Sequence, residues 1–116
     1  MLNLTVLNSK NIMKRLAFKM SLNKGQKEEY KKRHKEIWSE LKTLLKEAGI
    51  NEYSIFLDEE TDMLFAFQKV SETAGSQNLG ETEIMKKWWK YMADIMETNS
   101  DNSPVSTELE EVFYME

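Results

Sequence analysis

Apolar and polar residues alternate along "RLAFKMSL", where Leu16, Phe18, Met20 and Leu22 fall on one side. A period of two reads as a strand with one buried face. Asn23 and Gly25 interrupt it, and apolar positions then recur at three- and four-residue steps through Tyr30, His34, Ile37, Leu41, Leu44 and Ala48. That spacing predicts one long helix to about residue 47, closed by Gly49. In "NEYSIFLDEETDMLFAFQKV" the period returns to two. Tyr53, Ile55 and Leu57 share one face of a first strand, with Phe56 opposite. Leu64, Ala66, Gln68 and Val70 share one face of a second, with Phe65 and Phe67 opposite. The polar run from Asp58 to Asp62 joins them as a hairpin.

"SETAGSQNLGETE" is polar and reads as a loop or short broken helix. A second helix is expected over about residues 83–96, striped by Ile84, Trp88, Tyr91, Met92 and Ile95. "TNSDNSPVS" is turn material, and "STELEEVFYM" ends in a strand-like run. The order β-α-β-β-α-β predicts an α+β, ferredoxin-like antiparallel sheet with helices on one face. The other face is left bare. A second copy is the expected cover, giving a homodimer of the dimeric α+β barrel type. Residues 1–12 read as a loose N-terminal extension, and residues 13–116 as a single domain.

Composition narrows the class. The 116 residues suffice for one core, and 41% hydrophobic with 31% charged residues fits a small soluble domain. A net charge of -4 argues against nucleic-acid binding, which needs a basic face. There is no cysteine, which excludes disulfides and thiolate chemistry and fits a reducing compartment. No apolar run approaches the roughly 20 residues that span a bilayer. The opening "MLNLTVLNSKNIMKR" lacks the basic-then-apolar order of a signal peptide.

The single histidine, His34, lies four residues from both Tyr30 and Trp38, so helical geometry puts the three on one face. Two readings stand beside each other. A partly buried imidazole near a phenol can exchange protons close to neutral pH. Equally, a helix histidine can be a quiet residue satisfied by a backbone carbonyl or water. The surrounding "KKRHK" reads as a solvated basic face. Trp88 and Trp89 point about 100° apart on their helix, so one is expected to pack inward and the other to line an edge or pocket. Flat indoles suit the C–H faces of sugars, and core or interface packing is the plain alternative. "DEETD" lacks the glycine and spacing of an EF-hand loop. No phosphate loop, nucleophile elbow or paired-histidine motif is present, and no metal site is expected.

The blocks "YKKRHKEIWSEL", "NEYSIFLD", "KWWKYMADIM" and "NSDNSPVSTELEEVFYM" together closely resemble the L-rhamnose mutarotase family. The match runs in order from about residue 13 to 116. The resemblance implies a cytoplasmic homodimeric isomerase of carbohydrate metabolism that interconverts the α and β anomers of L-rhamnose. It implies no metal and no cofactor. By matching, His34 takes the family's general-acid position, and Tyr30, Tyr53, Trp88 and Trp89 take its sugar-contacting positions. The partner of His34 in proton transfer is left open among Tyr53, an aspartate such as Asp101, and water. The rival readings are a cofactor-free monooxygenase and a non-catalytic sugar-binding dimer on the same scaffold.

Overall fold

The computed structural model of the chain describes residues 13–71 and 75–116; the expected extension over residues 1–12 lies outside them. Strand β1 (Lys14–Ser21) leads to helices α1 (Lys27–Lys35) and α2 (Ser39–Glu47). The hairpin β2 (Ile50–Asp58) and β3 (Met63–Val70) follows, then α3 (Glu83–Met92) and a short β4 (Thr107–Leu109). The sheet order is β2-β3-β1-β4, and every pairing is antiparallel. This is the ferredoxin-like arrangement that the element order predicts.

The alternation in sequence becomes a two-faced sheet. Leu16 pairs with Gln68, Phe18 with Ala66 and Met20 with Leu64 across β1 and β3. Successive strand residues point to opposite faces, so these pairs all look the same way. Phe18, Met20, Leu64, Ala66 and Val70 are buried on that face. Leu41, Met85, Met92 and Ile95 cover them from the helical layer. On the opposite face Phe56 and Phe67 meet edge to face, their centroids 5.9 Å apart, and remain exposed.

Three expectations need correcting. The single long helix is two, because α1 ends at Lys35 and α2 starts at Ser39. Between them Trp38 is extended, with φ -64° and ψ 136°. No proline or glycine marks this break. Its visible cause is packing: the Trp38 ring meets Trp88 edge-on at 5.1 Å and lies against Tyr91 at 5.5 Å. A continuous helix would point that side chain elsewhere. The last helix is shorter than expected, giving way to a 3₁₀ turn over Ala93–Ile95. The strand-like end is only three residues long. Past it the chain leaves the ladder, and Arg15 instead takes Glu111 at 2.6 Å and covers the Tyr114 ring at 3.3 Å.

Local chemistry closes the connections. Gly49, with φ +83°, ends α2 in the left-handed region that favours glycine. Asp58 accepts from the Glu60 amide and the Thr61 hydroxyl, which folds the hairpin connection into a turn. Among the described residues no helix is long and apolar enough to cross a membrane.

Candidate active site

An open cleft of about 1170 Å³ lies between the helical layer and the buried face of the sheet. Its walls include Tyr30, His34, Tyr53, Ser76, Trp88 and Trp89. All five residues singled out in the sequence therefore meet in one cavity, although they come from α1, β2 and α3. Its size exceeds a monosaccharide and lies just above the range of ordinary small-molecule sites, roughly 300–1,000 Å³.

His34 sits in the last turn of α1, partly buried. Its ring stacks on Tyr30, with centroids 4.2 Å apart, and meets the edge of Trp88 at 5.4 Å. Nδ1 lies 3.1 Å from the Tyr30 carbonyl oxygen. A carbonyl only accepts, so Nδ1 carries the hydrogen and Nε2 is the lone-pair nitrogen of the neutral ring. Burial pushes the imidazole below its ordinary pKa, and the hydrogen bond to the Tyr30 carbonyl opposes that shift. The two readings of the sequence are thus not exclusive: one ring nitrogen is satisfied by backbone, while the other is available for chemistry.

The two phenols are held protonated. Burial raises Tyr30 far above the ordinary range, and the nearby Tyr53 phenol adds to the effect. Burial also raises Tyr53, opposed by hydrogen bonds from Ser76 and Gln68. Trp88 and Trp89 are both buried, each 7% exposed, and both line the cleft. The expected division into one inward and one edge ring does not occur, because the cleft is wide enough to span both directions. Asp101, considered as a base, is exposed and accepts from the Ser103 amide and hydroxyl.

Other contributors were not singled out in the sequence. Arg33 looked like part of a solvated basic face, yet its side chain is only 11% exposed. It donates to Glu29, to both carboxylate oxygens of Asp94 and to the Tyr91 carbonyl, tying the helix that carries His34 to the end of α3. Gln68 and Ser76 are buried together behind Tyr53. A glutamine at an inward strand position between Ala66 and Val70 is the signal that could have found this pair. Among the described residues no group of three or more His, Cys, Asp or Glu is placed to hold a metal ion.

The family profile described as L-rhamnose mutarotase matches residues 15–115. An L-rhamnose mutarotase of Formosa agariphila is 69% identical over 90% of this chain and 100% of its own length. The chain belongs to the L-rhamnose mutarotase family. A mutarotase of Bacteroides thetaiotaomicron is 62% identical over 90% of this chain and 100% of its own length. The crystal structure of the L-rhamnose mutarotase from Formosa agariphila superposes with a TM-score of 0.81 at 65% identity, covering 89% of this chain and 99% of that one. A conserved protein of Methanosarcina mazei shares only the fold, at 12% identity and a TM-score of 0.57, covering 89% of this chain and 96% of that one. The matched region of the mutarotase family includes α1, β2 and α3, the elements that carry Tyr30, His34, Tyr53, Trp88 and Trp89.

Proposed function

We propose that this protein interconverts the α and β anomers of L-rhamnose, with His34 as the group that exchanges protons with the sugar. Family membership supports the substrate and reaction class. The observation that carries the mechanism is the tautomer of His34: Nδ1 is committed to the Tyr30 carbonyl, so Nε2 alone is free to work in the cleft.

In the neutral resting form, Nε2 takes the proton of the anomeric hydroxyl. The C1–O5 bond breaks as O1 becomes a carbonyl, and the imidazolium gives its proton to O5. O1 and O5 are attached to the same carbon, so one ring nitrogen serves both. Rotation of the aldehyde and reversal of these transfers closes the ring on its other face. His34 thus remains the acid toward the ring oxygen, and no carboxylate is required. Tyr30 and Tyr53 bind sugar hydroxyls. Trp88 and Trp89 pack against its apolar faces, including the 6-deoxy methyl group.

The working unit is a homodimer acting in the cytoplasm. Exposed Phe56 and Phe67 on the sheet face away from the helices support a second copy as the cover. The cysteine-free composition suits a reducing compartment. The direct test is two-dimensional NMR exchange between the anomeric signals of L-rhamnose with catalytic amounts of protein. Acceleration over buffer is expected. Fluorescence quenching by the sugar without acceleration would leave only a binding protein.

A further inference from the structure

Behind Tyr53 the side chains of Gln68 and Ser76 form a buried polar pair, each 2% exposed, inside an otherwise apolar core. The Ser76 backbone N–H lies 3.2 Å from Gln68 Oε1, and Gln68 Nε2 lies within hydrogen-bond distance of Ser76 Oγ. A backbone N–H only donates, so the oxygen of the amide must face it, and the orientation of Gln68 is fixed. Nε2 is then a donor, and Ser76 Oγ accepts from it. The hydroxyl hydrogen of Ser76 is left to point onward.

The fold places Tyr53 at that next position. Between Asn51 and Ser54 the β2–β3 register shifts, with Asn51 opposite Lys69 and Ser54 opposite Phe67. Glu52 and Tyr53 therefore both stand against Gln68, and Glu52 adopts φ +45° to allow it. A bulge of this kind turns one side chain out of the regular alternation. Tyr53 and Ser76 line the same cleft, and the Ser76 and Gln68 side chains are the groups that oppose the burial-driven rise of the Tyr53 phenol. Close approach of the backbone is part of the arrangement: a Cβ on Gly75 would stand 2.8 Å from Gln68 Oε1 and 2.9 Å from Leu16 Cδ1.

We infer that Gln68 and Ser76 are positioning residues forming a one-way hydrogen-bond chain, which occupies the Tyr53 oxygen and turns its hydroxyl hydrogen into the cleft to donate to a sugar oxygen. The direction runs from Gln68 Nε2 to Ser76 Oγ, from the Ser76 hydroxyl to Tyr53 Oη, and from the Tyr53 hydroxyl to the substrate. Tyr53 is accordingly a hydrogen-bond donor in the ground state and not the base of the reaction. This inference rests on the anomer-exchange reading above.

A double-mutant cycle on NMR exchange rates tests it, using wild type, Tyr53→Phe, Ser76→Ala and the double variant. Ser76→Ala keeps the backbone N–H bond to Gln68 and is expected to lower kcat/KM about tenfold, the scale of one oriented hydrogen bond. In the Tyr53→Phe background the same change should cost less than about twofold, because its only route to substrate is gone. A merely structural Ser76 would give the same loss in both backgrounds, and that result overturns the inference, as does full activity of Ser76→Ala. If circular dichroism shows Ser76→Ala unfolded, Gln68→Met replaces it in the cycle with the same expectations. Wild-type protein that fails to accelerate exchange overturns the proposed function itself, a result distinct from an active wild type with an additive cycle.

Discussion

Tyr30 holds His34 twice, by stacking on its ring at 4.2 Å and by presenting a carbonyl 3.1 Å from Nδ1. The carbonyl belongs to the backbone and survives any substitution, whereas the stack and the hydroxyl belong to the side chain. Tyr30→Phe should therefore keep the imidazole in place and lose only a sugar contact, raising KM several-fold with little change in kcat. Tyr30→Ala also removes the stack and should lower kcat. Steady-state exchange rates over a range of rhamnose concentrations separate the two effects.

Replacing His34 by Asn removes the proton-exchanging nitrogen and should reduce anomer exchange by about 10²- to 10⁴-fold, the usual contribution of a positioned acid/base group. Far-ultraviolet circular dichroism should be unchanged, since the residue is partly exposed at a helix end. Full activity in His34→Asn would remove this residue from the mechanism.

Burial lowers the His34 pKa from its ordinary 6.5, so the neutral ring is the form the folded chain favours. Activity through neutral Nε2 should be level near pH 7 and fall as pH drops through the folded-state value, which lies below 6.5. Stability has the same sign. The contribution is complete above the unfolded-state value and is lost as pH falls below it, because protonation then favours the unfolded chain. His34→Asn should flatten that part of the stability profile, measured by urea unfolding between neutral and mildly acidic pH. An activity profile that rises toward low pH would show that the protonated ring is the form that meets substrate.

Arg33→Lys keeps the charge but not the fork that reaches Asp94, Glu29 and the Tyr91 carbonyl together. A loss of roughly 1–2 kcal/mol is expected in chemical denaturation, within the range for hydrogen bonds to charged groups. Because the anchored helix carries His34, kcat should fall as well, and by less than in His34→Asn.

Gly80 faces Trp89 so closely that a Cβ there would stand 2.8 Å from the ring. Gly80→Ala should push the indole and raise KM for rhamnose several-fold, with a smaller change in kcat. Unchanged kinetics would mean that Trp89 yields without disturbing the sugar site.

A charge in the exposed Phe56–Phe67 pair tests the outer sheet face. In the proposed homodimer Phe67→Glu would place an unpaired carboxylate in the contact, and sedimentation velocity should then show monomer where the wild type shows dimer. An unchanged sedimentation coefficient would put the contact elsewhere or remove it.

Much of this organisation was legible in the chain. Period-two patterns assigned the inward residues of β1 and β3, from Phe18 and Met20 to Leu64 and Ala66, because half-buried strands must alternate. The resemblance named the five cleft residues, but not how they meet. The break before Ser39 was invisible, since Trp38 is pulled out of the helix by rings on α3, more than forty residues later. Arg33 was hidden for a similar reason: its partner Asp94 lies far along the chain. Gln68 was read as inward-facing, but its orientation depends on the Ser76 amide and on a bulge that no local spacing predicts.

The interruption between α1 and α2 has an electrostatic side. Because α1 stops at Lys35, one residue past His34, the imidazole belongs to the last turn of a helix. Such an end carries partial negative charge and attracts a cation. In an unbroken helix to residue 47 that charge would lie at the far end, and only the Tyr30 carbonyl would oppose burial at the ring. The break supplies a pull toward the protonated state against the burial that drains it. A proton carrier needs both: it must give its proton up and must also be able to take one.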